Sequence, residues 1–305
     1  MRKLLPLLLI LILTVLSALP VTALEDDLSD DIVILYTNDI HSYIDGDISY
    51  DTIAGVKTYL EGMYETVLLL DAGDHIQGTA YGSIDNGETI IKLMNAAGYD
   101  AAALGNHEFD YTMAGRIRVT DEWAQFPYLS CNFHHEENGV IGDSILDPYK
   151  LFPCGDEVLA VIGITTPETF TNSTPKYFQN ENGDFIYGIA GGDDGTALYE
   201  TVQKTIDDAK AAGATKVIAL GHLGTDFSYG PWTSEETIAN TCGLDAFIDG
   251  HSHTTMKQNT IADRDGHNVV LTQTGEYFNA IGMMVIDSET GEITTELLGA
   301  DHEIL

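Results

Sequence analysis

Short apolar runs rich in Val, Ile and Leu alternate along the chain with longer amphipathic stretches. This is the pattern of strands buried on both faces and separated by covering helices. The runs predict strands at 32–37, 67–71, 101–104, 128–132, 158–164, 216–220 and 246–249. Between them, 53–65, 88–97 and 196–212 carry apolar residues at helical spacing, and the last two stop at Gly98 and Gly213, glycine being the common residue just past a helix end. The segments 268–274 and 281–287 read as antiparallel strands around turn residues. The expected fold class is therefore α/β and layered, with mixed β-sheets flanked by helices. Residues 172–195, rich in Asn, Gly and Asp, interrupt the alternation as a long excursion that is either functional or mobile.

Ahead of the first strand, Arg2 and Lys3 precede an uncharged, Leu-rich run that meets Pro20 and the small residues Val21, Thr22 and Ala23. Residues 1–23 read as a secretory signal peptide cleaved after Ala23. An uncleaved anchor is the competing reading, disfavoured because Pro6 and Pro20 interrupt the run. Residues 24–31 form an acidic lead-in that reads as a solvated tail. No repeat or proline-rich linker divides the remainder, so a single domain over 32–305 is the simplest organisation.

Charge narrows the function. The 305 residues include 13 basic and 48 acidic side chains, a formal net charge of −35. Such a field repels nucleic acid and anionic membrane surfaces. A phosphate ligand must then meet locally concentrated positive charge, and bound metal cations supply it where Lys and Arg are scarce. The 44% hydrophobic content excludes a disordered chain. Cys131, Cys154 and Cys242 are widely spaced and form no CxxC pair, which excludes zinc-ribbon and thioredoxin-type motifs. One disulfide plus a thiol, or three buried thiols, both remain open.

Five expected strands run directly into polar clusters: Thr37-Asn38-Asp39-Ile40-His41, Asp71-Ala72-Gly73-Asp74, Gly105-Asn106-His107-Glu108, Gly221-His222 and Gly250-His251-Ser252-His253. In an open α/β sheet the carboxyl ends of the strands face one crevice, so these residues should converge. Asp39, His41, Asp74, Asn106, His222, His251 and His253 offer two carboxylates, an amide oxygen and four imidazoles, a mixture suited to borderline divalent metals. Seven candidate ligands exceed what one tetrahedral ion needs; two ions roughly 3.5–4 Å apart sharing a carboxylate would use them all. Glycines 73, 105, 221 and 250 should let the backbone turn sharply and approach a ligand.

The strings ILYTNDIHS, LLLDAGDHIQGT, ALGNHEFDY, ALGHLG and IDGHSH together resemble the calcineurin-like metallophosphoesterase superfamily, and within it the secreted 5'-nucleotidase and UDP-sugar hydrolase group. The resemblance implies a layered metallophosphoesterase fold and two divalent ions, Mn, Zn, Co or Fe. It implies that Asp39, His41, Asp74 and His253 hold one ion while Asp74, Asn106, His222 and His251 hold the other. It assigns His107 and Asp110 to a catalytic pair at the phosphoryl group, while the role of Glu108, at the site or only structural, stays open. The implied activity is hydrolysis of a small-molecule phosphoester, foremost a nucleotide, by metal-activated water, outside the cytosol. UDP-sugars and 2',3'-cyclic nucleotides are alternative substrates, a non-catalytic metal-binding surface module is the alternative from another class, and a nuclease lacks an evident basic groove. No stable nucleic-acid partner and no membrane span after signal removal are expected. Full-length members of the group carry a second, C-terminal domain that holds the nucleoside, which is not expected within these 305 residues.

Overall fold

Alternate residues along the central strands face two different apolar layers, which is why the strand sequences read as unbroken hydrophobic runs. In a computed structural model describing residues 28–305 apart from 138 and 226, the first half of the chain forms β1 (Ser29–Thr37), α1 (Tyr50–Glu61), β2 (Tyr64–Asp71), α2 (Glu88–Ala97), β3 (Ala101–Ala103) and β4 (Tyr128–Leu129). Next come β5 (Phe133–Glu137), β6 (Val140–Ser144), β7 (Tyr149–Cys154), β8 (Glu157–Thr165) and β9 (Tyr187–Ile189). The chain then makes α3 (Thr196–Ala211), β10 (Lys216–His222), α4 (Ser234–Asn240) and β11 (Ala246–Ile248). Four strands complete it: β12 (Thr255–Ala262), β13 (Asn268–Thr274), β14 (Ile281–Ile286) and β15 (Ile293–Leu298). The signal peptide and residues 24–27 of the acidic lead-in lie outside the described residues, whereas Ser29, Asp30 and Asp31, expected in a solvated tail, instead begin β1, where the Ser29 N–H donates to the Met63 carbonyl.

Two six-stranded mixed sheets stack face to face, in the orders β15-β14-β1-β2-β3-β4 and β12-β13-β11-β10-β8-β7. The dry layer between them takes Ile32, Ile34, Tyr36, Leu68 and Leu70 from one sheet and Leu159, Val161, Ile218, Leu220 and Ile248 from the other. The intervening residues point outward to helices: Val33, Leu35 and Leu69 meet Ile53, Val56, Leu60, Ile90, Ile91 and Met94 of α1 and α2. On the far side, Ile162, Val217, Ala219 and Phe247 meet Leu198, Val202, Ile206 and Ala209 of α3. The result is a helix–sheet–sheet–helix stack, in which each fully buried Ile, Leu or Val contributes about 1.5–3 kcal/mol.

All seven expected strands and all three expected helices are present, with informative differences at their ends. The first helix stops at Glu61, and Tyr64 and Glu65 belong to β2 instead. The turn comes at Gly62-Met63, whose N–H groups bond back to Tyr59 and Leu60 carbonyls. The strand expected over 128–132 is only Tyr128–Leu129. The segments read as antiparallel strands, β13 and β14, lie in different sheets: β13 runs parallel to β11 and antiparallel to β12, and β14 runs antiparallel to β1 and β15. The excursion at 172–195 contributes β9, which pairs with β5 in a small antiparallel sheet ordered β6-β5-β9. Phe178 anchors it, fully buried against Phe109 and Phe170.

Candidate metal centre

The polar clusters do converge, at the seam between the two sheets and not along one open sheet. β1, β2 and β3 of the first sheet, and β10 and β11 of the second, present their carboxyl ends to the same place. The seam is stitched by His222 Nδ1, 2.7 Å from the carbonyl of Ala72, and by the His251 N–H donating to Asp39 Oδ2 at 2.9 Å.

Five of the seven candidate ligands, Asp39, His41, Asp74, His251 and His253, have backbone φ between 50° and 78°. Non-glycine residues rarely adopt this left-handed region, and such strain concentrates where side chains are aimed for function. Two glycines make the crowding possible. A Cβ at Gly73 (φ 95°) would overlap the backbone of Gly105, and one at Gly105 would overlap the Asp74 carboxylate. Asp39, His41, Asp74, Asn106 and His222 are buried, whereas His251 and His253 are partly exposed.

Three groups of ligand atoms each fall within 4.8 Å of one another: Asp39, His41 and His253; Asp74, His222 and His251; and His41, Asp74 and His107. Asp74 belongs to two of them. Its Oδ2 lies 3.0 Å from His222 Nε2 and 4.0 Å from His41 Nε2. His253 Nε2 lies 3.5 Å from Asp39 Oδ1 and 3.1 Å from His41 Nε2. His107 Nδ1 sits 2.7 Å from Asp110 Oδ2, both side chains being partly exposed, and its ring centroid is 5.2 Å from that of His41.

A family model described as calcineurin-like phosphoesterase matches residues 32–255. The chain belongs to that family. This calcineurin-like phosphoesterase is 34% identical over 243 residues to the snake venom 5'-nucleotidase of Gloydius brevicauda, covering 74% of the chain and 37% of that relative. It is 30% identical over 299 residues to the 5'-nucleotidase of Bos taurus, covering 87% of the chain and 48% of the relative. Its fold resembles the 5'-nucleotidase precursor of Thermus thermophilus, with a TM-score of 0.71 at 23% identity over 88% of this chain and 54% of that one. The chain thus spans less than half the length of either of those curated relatives.

Calcineurin-like phosphoesterases use two divalent metals, and the residues of this member fit that requirement. Among the described residues Asn106 Oδ1 is buried without a hydrogen-bond partner, which is costly unless something outside the chain satisfies it, and His222 Nε2 is buried facing the Asp74 carboxylate at 3.0 Å. Two imidazole nitrogens facing each other at 3.1 Å, as His41 and His253 do, suit a shared electrophile. The outer contacts set the ring orientations: His222 Nδ1 is held by the Ala72 carbonyl, His41 Nδ1 lies 3.2 Å from the Gln77 carbonyl, and His253 Nδ1 pairs with Glu276, contacts that fix the tautomer of a ligating histidine.

Without cations the cluster is held by its own charges. Burial alone would push the Asp74 carboxyl up, but the neighbouring His222, and then His107 and His41, hold it well below the ordinary carboxylate range. Burial likewise opposes charge on His222, yet Asp74 and Asp39 raise it to about 10. His107 is raised to about 9: burial lowers it, and the hydrogen bond from Asp110 and the charges of Asp74, Asp110 and Glu108 outweigh that.

Glu108 is fully buried, and its carboxylate accepts N–H bonds from Gly105, Asp74 and His75. His75, beside Asp74, joins none of the ligand groups; it is fully buried between Asp71 and Tyr128. Sequence reasoning did not single out Glu168 or Glu276, which hold His251 Nε2 (at 2.9 Å) and His253 Nδ1. Glu168 had a readable signal, since it follows the end of β8 by three residues at the same edge of the sheet.

Proposed function

We propose that this chain is the catalytic unit of a metal-dependent phosphoester hydrolase of the 5'-nucleotidase type, acting on nucleotides. The supporting observation is Asp74, a buried carboxylate common to two ligand groups and 3.0 Å from His222 Nε2, together with the buried Asn106 amide oxygen, which lacks a hydrogen-bond partner among the described residues. On this reading Asp39, His41, Asp74 and His253 hold one cation, and Asp74, Asn106, His222 and His251 hold the second. When bound, the two ions supply the positive charge that a phosphoryl group meets and acidify a water for in-line attack on phosphorus.

The protein's own contribution is orientation and proton handling. Asp110 accepts from His107 Nδ1 and fixes the tautomer, which leaves Nε2 as the nitrogen that carries a proton to the departing ester oxygen or stabilises its developing charge. Glu168 and Glu276 hold the rings of His251 and His253 in place. The partly exposed His107–Asp110 pair favours turnover over metal storage, because a metal-holding module needs no such pair beside its ligands.

A nucleotide substrate is supported by the names of the relatives, which are 5'-nucleotidases. Action outside the cytosol is supported by the export-type sequence at 1–23. No helix among the described residues is long and apolar enough to cross a membrane. The test is p-nitrophenyl phosphate and AMP hydrolysis by metal-stripped protein, with Mn, Co or Zn restored in turn. Activity should vanish on stripping, return with metal, and be absent in Asp74→Ala. Hydrolysis that survives both treatments overturns the proposal, and normal metal loading without hydrolysis of any phosphoester favours the binding module.

A further inference from the structure

Next to the ligand cluster, the loop that carries the chain from one sheet to the other does more than connect. Between the end of β13 at Thr274 and the start of β14 at Ile281, Tyr277 and Phe278 adopt φ of 56° and 57°, two successive non-glycine residues in the left-handed region. Strain of this kind persists only where surrounding contacts enforce it. Here they do so from three sides. The Tyr277 N–H donates to the Asp39 carbonyl at 2.9 Å, Phe278 is buried edge-on against Tyr50 with centroids 5.0 Å apart, and Glu276 pairs with His253.

The outcome is that the Tyr277 ring stands at the rim of the cluster, with its centroid 5.7 Å from that of His41 and 5.8 Å from that of His253. A second aromatic joins it. Tyr43, two residues beyond His41, lies 4.1 Å from Tyr277 between centroids at an interplanar angle of 31° and remains 44% exposed. Core packing does not explain a tyrosine pair placed in this way. One ring touches the ligand histidines, the other keeps a large surface in water, and the backbone is strained to hold them there.

We infer that Tyr43 and Tyr277 form a stacking platform for the planar aromatic portion of the substrate, namely the base of a nucleotide whose phosphate sits at the neighbouring ligand cluster. This inference rests on the hydrolase reading and adds a specificity element to it. A flat, uncharged π-surface recognises bases through stacking, with little preference among them. It gives nothing to a sugar phosphate or glycerol phosphate, so the platform should discriminate by the presence of a ring system beyond the ester.

The experiment compares AMP with ribose 5-phosphate for the metal-loaded protein, Tyr43→Ala, Tyr277→Ala and Tyr277→Phe. The ratio of kcat/KM for AMP to that for ribose 5-phosphate should fall roughly tenfold in each alanine variant, mainly through KM, as expected for loss of one base–aromatic stack. It should stay near wild type in Tyr277→Phe, which keeps the ring. In parallel, adenosine binding to metal-stripped protein, followed by line broadening of the adenosine H8 and H2 resonances, should weaken in Tyr43→Ala relative to wild type.

An unchanged ratio in both alanine variants overturns the platform, even where phosphoester hydrolysis is vigorous. Absence of all hydrolysis overturns the hydrolase reading. If adenosine binding nevertheless depends on Tyr43, the platform stands as a base-binding site. If wild type and Tyr43→Ala bind adenosine equally, the platform falls with or without activity.

Discussion

The Glu108 carboxylate accepts the backbone N–H of Asp74 at 2.9 Å, which ties the end of the third strand of the first sheet to the end of the second. The same oxygen accepts the Gly105 N–H at 2.7 Å and the other oxygen accepts the His75 N–H at 3.0 Å. Three donors on two loops therefore share one buried anion, and the left-handed backbone of Asp74 is held by it. Glu108 thereby positions a candidate ligand, although it belongs to none of the candidate ligand groups among the described residues.

Replacing Glu108 by Gln turns one acceptor into a donor facing a backbone N–H. The expected loss is about 2 kcal/mol of stability, the usual consequence of leaving a buried donor unpaired next to a lost charge-assisted bond. Metal affinity should weaken by about 10–100-fold, as for other residues that orient a ligand. Urea unfolding and a metal titration read the two effects separately; a variant that matches wild type in both would show that Glu108 is not a clamp.

Metal removal should destabilise the fold. Asp39 and Asp74 are buried, and in metal-free protein their negative charge is countered by His222, His41, His253 and His107. Anything that binds the folded chain and not the unfolded one stabilises it by mass action, by about 2.7 kcal/mol at a hundredfold excess over Kd. A thermal scan with chelator should therefore give a lower Tm, and adding Mn back should raise it in proportion to the logarithm of free metal. A Tm indifferent to metal would contradict the proposed centre.

High pH should destabilise the fold by a route that does not involve the metals. Burial raises the phenols of Tyr50 and Tyr99 well above 10, and the Cys131 thiol to about 12. In the unfolded chain these groups ionise near pH 10 and 8.5. Above those values the unfolded state has released protons that the native state still holds, so stability is complete below about pH 8.5 and falls as pH rises, by up to about 1.4 kcal/mol per pH unit for each fully shifted group. Tyrosinate absorbance at 295 nm should show a slow-titrating class that appears only with loss of the native circular dichroism. Full ionisation of every tyrosine near pH 10 with the fold intact would refute this.

How far the sequence could be read follows from where hydrophobic pattern and chemistry coincide. Asp39, Asp74, Asn106, His222 and His251 stand directly after apolar runs, so the same signal that marks a buried strand also marks its polar end. Among the described strands β5, β6, β7, β9, β12 and β15 escaped notice, and two of them lack that signal altogether. β6 (Val140–Ser144) is exposed along its whole length, and β12 runs Thr-Met-Lys-Gln-Asn-Thr-Ile-Ala with no fully buried side chain. Periodicity also cannot show which sheet a strand joins. β13 and β14 look like partners in the sequence, but the strained loop with Tyr277 passes from one sheet to the other. Glu276 was hidden because a carboxylate that orients a histidine remote in sequence leaves no local spacing to detect, whereas Glu168, 83 residues from His251, could be noticed only by its place just past the end of β8.

The His107–Asp110 pair supplies a test that separates catalysis from metal binding. His107 N–H donates to Asp74 Oδ1 at 2.8 Å through its backbone, so a change of side chain leaves that bond in place. His107→Ala should therefore retain both metals while losing proton transfer to the leaving group, an effect of about 100–10,000-fold on kcat. Asp110→Asn keeps the shape but removes the charge that fixes the Nδ1 tautomer, so its loss should be smaller and should also fall on kcat. The dependence on the leaving group distinguishes a proton donor from a simple charge stabiliser. p-Nitrophenolate leaves without needing a proton, whereas the alkoxide from AMP does not, so both variants should be impaired far more on AMP than on p-nitrophenyl phosphate. Equal impairment on the two substrates, at full metal content by elemental analysis, would exclude His107 as the donor and leave it the role of stabilising charge on the phosphoryl oxygens.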